Sequence, residues 1–233
     1  VTLARLGLYG LKAGEDYTKN TLYTERAIES PVIKTPAKTD AFENAGRHEL
    51  SWDFSDKKQM EDFTVYEGAW YVDPENRRLV GLGTGDWTTG LTINAGIFDN
   101  YELTYKIYSH GSGSWAGSLL NKNAWKDNHD DGGYLFYTNG GGNMVYFAQG
   151  GGVSGAQLDE DGYMTVKIRV YGTDDNKRIT VDLGGGKKAT YVIGKDTATD
   201  IRSGFVSFVA GNCVAYFRDI SIRELNADGG YAE

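Results

Sequence analysis

A single cysteine, three prolines and the lack of any long apolar run narrow what this chain can be. One thiol, Cys213, excludes an intrachain disulfide. It lies in "VAGNCVAYF", an apolar strand pattern, and is expected to be an inert buried thiol. No apolar segment approaches the ~20 residues of a membrane-spanning helix, so no membrane partner is expected. No Lys/Arg cluster has the scale of a nucleic-acid footprint, and the net charge of −8 argues against a phosphate-backbone partner. Neither an N-x-S/T sequon nor a charged-then-apolar leader occurs, and the first residue is valine, as in a mature product or a cut piece.

Catalytic signatures are equally scarce. His48, His110 and His129 are far apart with no nucleophile motif beside them. Two-carboxylate glycosidases hold their acids a few ångströms apart, but here the dense acidic clusters lie in turns. An E-x-D-x-x-E strand is missing.

What is abundant is glycine (32 residues) and tyrosine (16 residues). Many aromatics with many turn glycines is the composition of an all-β sandwich. From Phe42 onward, short apolar or alternating stretches recur: "HELSWDF", "FTVYEGAWYV", "RRLVGLG", "GLTINAG", "YELTYKIYS", "WAGSLLN", "GGYLFYT", "MVYFAQG", "YMTVKIRVYG", "RITVDLG", "KATYVIG", "GFVSFVAG" and "VAYFRDISIREL". Turn chemistry such as "VDPEN", "NGGGN" and "DLGGGKK" separates them. "SDKKQMED" is short enough for one helical turn. The pattern predicts an antiparallel two-sheet β-sandwich, with Trp52 and Trp70 in its core.

Residues 13–41 carry Pro31 and Pro36 and little periodicity, and read as a linker. The segment "VTLARLGLYGLK" (1–12) mirrors "VAYFRDISIREL" (214–225), each opening with valine and carrying arginine at its fifth position. It is expected either as the terminal strand of an upstream unit or as an extra strand of this same sandwich. The division expected is therefore 1–41, upstream strand plus linker, and 42–233, one β-sandwich domain.

The order of motifs from "WDFSDKKQMEDFTVYEGAWYVDPENRRLVG" through "YELTYKIYS", "GGYLFYT" and "YMTVKIRVYG" to "GFVSFVAGNCVAYFRDISI" resembles the concanavalin A-like (laminin-G-like) jelly-roll family over roughly 42–225. Within it the chain is similar to the family 66 carbohydrate-binding modules that accompany fructan-cleaving hydrolases. That likeness rests on Gly85–Asp86, on Gly133–Tyr134–Leu135 and on "GFVSFVAGN". Lys122 stands where that family tends to place an arginine, and Gly211–Asn212 where it tends to have Trp-Asp. The resemblance implies a polysaccharide or oligosaccharide ligand, a tethered upstream catalytic domain and a secreted, extracellular bacterial setting. It also implies a structural calcium ion, for which Asp219 and Glu43 offer hard oxygen ligands. A salt bridge from Asp219 to Arg47 or Arg218 is the competing reading.

Residue chemistry points the same way. Trp87, Trp115 and Trp125 sit among Gly, Ser, Asn and Asp rather than in apolar runs, as stacking platforms for a sugar face or as loop anchors. Asp86, Arg78 and Lys122 lie beside those segments as hydroxyl partners, and Tyr134 and Asn212 complete the candidate set. "DNHDDGG" (127–133) and "DEDGY" (159–163) read as acidic turns. The expected function is a non-catalytic carbohydrate-binding module of a glycoside hydrolase, possessing affinity for polysaccharide such as fructan. The alternatives are a jelly-roll hydrolase or lyase with a dispersed catalytic pair, and an adhesion domain.

Overall fold

The computed structural model describes residues 34–83, 89–110, 115–126, 132–139, 142–193 and 202–233. Residues 1–33, with the opening segment and Pro31, lie outside the described residues. Thr35–Glu233 form one compact unit.

A short helix, α1 (Ala41–Ala45), leads into the strands. Asp40 caps it: its carboxylate accepts from the backbone N–H of Phe42 at 2.9 Å and of Glu43 at 3.0 Å. Gly46, left-handed at φ 62, ends it. Phe42 then packs edge-on against Phe98, ring centroids 5.4 Å apart.

Fifteen strands follow among the described residues. They are β1 (Glu49–Trp52), β2 (Phe63–Glu67), β3 (Ala69–Asp73), β4 (Arg78–Leu82) and β5 (Thr89–Ile93). Then come β6 (Tyr101–His110), β7 (Trp115–Lys122), β8 (Tyr134–Asn139), β9 (Met144–Phe147) and β10 (Gly152–Ser154). The last are β11 (Met164–Tyr171), β12 (Arg178–Asp182), β13 (Lys188–Val192), β14 (Phe205–Gly211) and β15 (Val214–Glu224). One sheet runs β13-β12-β11-β6-β15-β4-β3, with β1 as an eighth strand on β15; the other runs β10-β9-β8-β7-β14-β5-β2. Every pairing between these strands is antiparallel. The expected two-sheet sandwich is what forms.

Period-two alternation sends one set of side chains between the sheets. Tyr105 and Phe217 from the eight-stranded sheet meet Phe208 from the other, with centroids 5.0–5.9 Å apart. Burying each such ring contributes about 1.5–3 kcal/mol. Trp52 and Trp70 are buried in this core, as the reading of the strands required.

Two corrections have local causes. "FTVYEGAWYV" is not one strand: it breaks at Gly68, φ 77, and its halves β2 and β3 enter different sheets. A Cβ at Gly68 would come within 2.3 Å of the Thr89 side chain, so glycine is required there. The three-residue β10 is too short to show alternation. "SDKKQMED" does form its helical turn, a 3₁₀ turn at Lys57–Asp62.

Candidate functional site

The alternation of β15 fails at one point. Ala215 and Phe217 face the core, and so do Ile220 and Ile222, leaving two residues between Phe217 and Ile220 instead of one. The strand absorbs the extra residue as a bulge between Arg218 and Ser221 opposite β6. Asp219 takes φ 49 there, a left-handed conformation that aspartate tolerates better than most side chains. Bulges re-aim side chains beside functional sites, and this one turns both Arg218 and Asp219 outward. The same edge of β15 pairs with β4 through Val214–Phe217 and with β1 through Ile220–Arg223. Arg218 and Asp219 therefore stand where one neighbour has ended and the next has not begun.

A cleft of about 370 Å³ opens at this gap on the outer face of the eight-stranded sheet. Its walls are Glu75, Asn76 and Arg77 from the β3–β4 turn, Lys106 from β6, Arg218 and Asp219, and Asp159 with Asp161 from the turn before β11. Arg77 is a second left-handed non-glycine residue, at φ 47. Strained backbone of this kind persists where the surroundings over-determine it and clusters at working sites.

Ion pairs tie the walls together. Lys106 Nζ lies 3.3 Å from Asp219 Oδ2 and 3.5 Å from Asp159 Oδ2. The hydrogen bond to Asp219 raises the lysine pKa; partial burial opposes it, and the charges of both carboxylates add to it. Arg218 donates to Asp161 at 2.7 Å. The 159–163 turn is also closed on itself, because the Asp159 carboxylate accepts from the N–H groups of Asp161 and Tyr163 at 3.1 and 2.8 Å.

Beside this charged row runs an aromatic one. Tyr71, Val80, Tyr216 and Tyr108 are directly paired across β3, β4, β15 and β6. At ordinary strand spacing they span roughly 14 Å. The Tyr108 and Tyr216 rings are near-parallel at 6.1 Å, and Tyr163 extends the row 5.8 Å from Tyr108. Arg78 lies 4.0 Å over Tyr216 and Arg218 lies 4.4 Å over Tyr163. Burial works against the Arg78 charge, but hydrogen bonds to Asp73, 2.9 Å away, and to Tyr163 outweigh it and raise its pKa. Tyr71 remains 48% exposed. The arrangement supplies rings, fixed donors and fixed acceptors within one small area.

Of the residues singled out in the sequence, Asp219 lines this cleft and Arg78 stacks over Tyr216 in the aromatic row beside it. Trp87 and Asp86 lie outside the described residues. Trp115, expected as an exposed platform, is instead 6% exposed and packs with Leu119, Leu135, Val209 and Tyr137 on the outer face of the seven-stranded sheet. Tyr134 is buried in the main core against Phe147, with centroids 6.3 Å apart. Lys122, expected to meet a ligand, is buried. Its Nζ donates to the Trp125 carbonyl at 2.7 Å and to Ser207 Oγ at 2.9 Å, and sits 4.2 Å over the Tyr66 ring. Trp125 is half-buried, and its carbonyl also accepts from Thr92 Oγ1. Asn212 is exposed at φ 50 in the crossover from β14 to β15, near the Trp115 end of the sandwich.

Asp219 and Glu43 do not fit a shared calcium ion. Asp219 pairs with Lys106, a partner not anticipated from the sequence. Glu43 belongs to α1, which leads to His48, whose carbonyl accepts from the Glu224 N–H at 2.9 Å. Glu224 is five residues beyond Asp219, roughly 15 Å along an extended strand. Among the described residues no group of three or more His, Cys, Asp or Glu side chains could hold a metal ion. Cys213 is the buried thiol expected. Its Sγ donates to the Trp115 carbonyl at 3.3 Å, and burial pushes its pKa up to about 11.

Acidic groups are also sparse on the other sheet. Across its seven strands Glu67 is the sole carboxylate among the described residues.

No family model matches the sequence, and no curated protein matches it. Solved structures do match in fold. Crh5 transglycosylase, solved in complex with NAG, aligns with a TM-score of 0.55 and 11% identity over 83% of this chain and 88% of that one. A candidate glycosyl hydrolase of Parabacteroides distasonis aligns at 0.53 and 12%, over 78% and 96%. The beta-glucanase of Bacillus licheniformis aligns at 0.50 and 10%, over 76% and 97%. The chain is a concanavalin A-like β-sandwich. At such low identities, function has to be argued from this chain's own side chains.

Proposed function

We propose that this domain is a non-catalytic carbohydrate-binding module whose saccharide site is the cleft at the β15 bulge. One observation carries the reading: a sugar-sized polar cleft lies directly against a row of tyrosines. Sugars present apolar C–H faces and directional hydroxyls, so a site for them needs rings to stack on and fixed hydrogen-bonding groups. Tyr71 and Tyr108 supply ring surface. Asp219, Asp159, Glu75 and Arg77 supply acceptors and donors. The NAG complex of a protein with this fold supports the ligand class. Fructan, the ligand implied by the family 66 resemblance, is the first polysaccharide to try. The setting proposed is a secreted bacterial glycoside hydrolase, where a tethered module raises local substrate concentration and modest affinity suffices.

Retention of the full chain in gels containing fructan, β-glucan, xylan or galactan tests this. Wild-type protein should be retarded by at least one polymer, and Tyr71→Ala and Arg77→Ala should each relieve the retardation. Retention unchanged in both variants would move the site elsewhere. A hydrolase or lyase of the same fold is the second reading, favoured by the enzyme names among the matching structures. New reducing ends or unsaturated products in the same incubations would establish it.

A further inference from the structure

We infer that the cleft, read as the saccharide site proposed above, selects uncharged sugars and rejects those bearing carboxylate or sulfate groups. Two of the three cations at its walls already face a carboxylate of the protein. Lys106 is held between Asp159 and Asp219 at 3.5 and 3.3 Å, and Arg218 is bound to Asp161 at 2.7 Å. Arg77 is the remaining one. It shares its turn with Glu75, and its charge acts on Asp53, whose carboxyl it helps to hold low.

The walls thus present four carboxylates, Glu75, Asp159, Asp161 and Asp219, against three cations. A uronate entering here finds two of the three cations already neutralised and meets like charge on several sides. Such juxtaposition is how sites reject wrong partners. The whole chain, at net −8, adds long-range repulsion of polyanions. A neutral sugar gains instead, because paired carboxylates keep lone pairs free to accept from hydroxyls. The pairs also hold the acceptors still before a ligand arrives, which lowers the cost of ordering them.

A matched pair of polymers tests this: a soluble β-glucan, and the same glucan oxidised to carboxylates at its primary hydroxyls. Binding is measured by affinity electrophoresis and repeated at raised ionic strength. Wild-type protein should bind the neutral glucan at least tenfold more tightly, with little response to salt. Asp161→Asn, which releases Arg218, and Asp219→Asn, which suits the left-handed backbone at that position, should each move the ratio towards the oxidised polymer. Together they should move it at least tenfold. Equal or tighter wild-type binding of the oxidised glucan, weakening with salt, would overturn the selectivity while leaving the saccharide site standing. Binding of neither glucan, nor of any other neutral polymer, would overturn both.

Discussion

The indole of Trp115 lies over the backbone of Gly211, so closely that a Cβ on that glycine would come within 2.1 Å of Nε1. The two residues are directly paired between β7 and β14, and the ring needs the space a side chain would take. Trp115 is therefore a structural ring. Trp115→Ala should cost about 3–5 kcal/mol through the cavity it leaves. Gly211→Val should cost about 1–3 kcal/mol through overpacking. Urea denaturation reads both. Full stability in Trp115→Ala, combined with lost saccharide retention, would restore the ring to the binding surface.

Lys106 joins the two sides of the cleft, yet its side chain is 35% exposed. Exposed ion pairs contribute only ~0–1 kcal/mol after solvent screening. Lys106→Met should leave the melting temperature nearly unchanged. It should still weaken polysaccharide retention about tenfold, because Asp159 and Asp219 then face each other without the cation that orients them. Thermal melts and affinity gels on the same preparation separate the two effects.

Asp53 supplies an acid-sensitive contact. Its Oδ1 accepts from the Ser55 N–H at 3.1 Å, from the Ser55 hydroxyl at 2.8 Å and from the Gln59 amide at 2.9 Å. These bonds, the Ser55 N–H foremost, lower its pKa from 3.8 to about 2. Because the folded value is the lower one, the contribution is complete above pH 3.8 and is lost as pH falls from 3.8 towards 2. Wild-type protein should be more stable than Asp53→Asn at neutral pH, and the gap should close across that window. A carboxyl resonance of Asp53 titrating near 4 would contradict this.

Tyr231 ties the end of the chain to the sheet. Its hydroxyl reaches both oxygens of Glu102 at 3.0 Å, and Arg223 lies 4.0 Å over its ring. Glu102 is buried and is also held by Arg169 Nε at 3.2 Å. Because Arg169 remains in Tyr231→Phe, the loss should be about 1 kcal/mol. Glu102→Leu should cost more, since it removes the partner of the tyrosine hydroxyl and of Arg169 Nε together. Chemical denaturation of the two variants gives the ordering.

The alternating runs were enough to assign the class of fold and the inward faces of Trp52 and Trp70. Strand periodicity is a local property, enforced by the pleat at every second residue. Of the site, the sequence singled out Asp219, but the bulge that turns it outward, where "FRDI" interrupts the alternation, was not read from it. Glycine-rich surroundings misled at Trp115. Glycine there makes room for the ring and does not mark exposure.

By itself, then, the amino-acid order determined a two-sheet β-sandwich and a lone buried thiol. Only the tertiary structure decided that Lys106, Asp159, Asp161 and Asp219 share one cleft beside Tyr71 and Tyr108. Those residues come from segments as much as 148 positions apart in the chain. Pairing between distant strands is set by which faces bury together, and no local pattern records it.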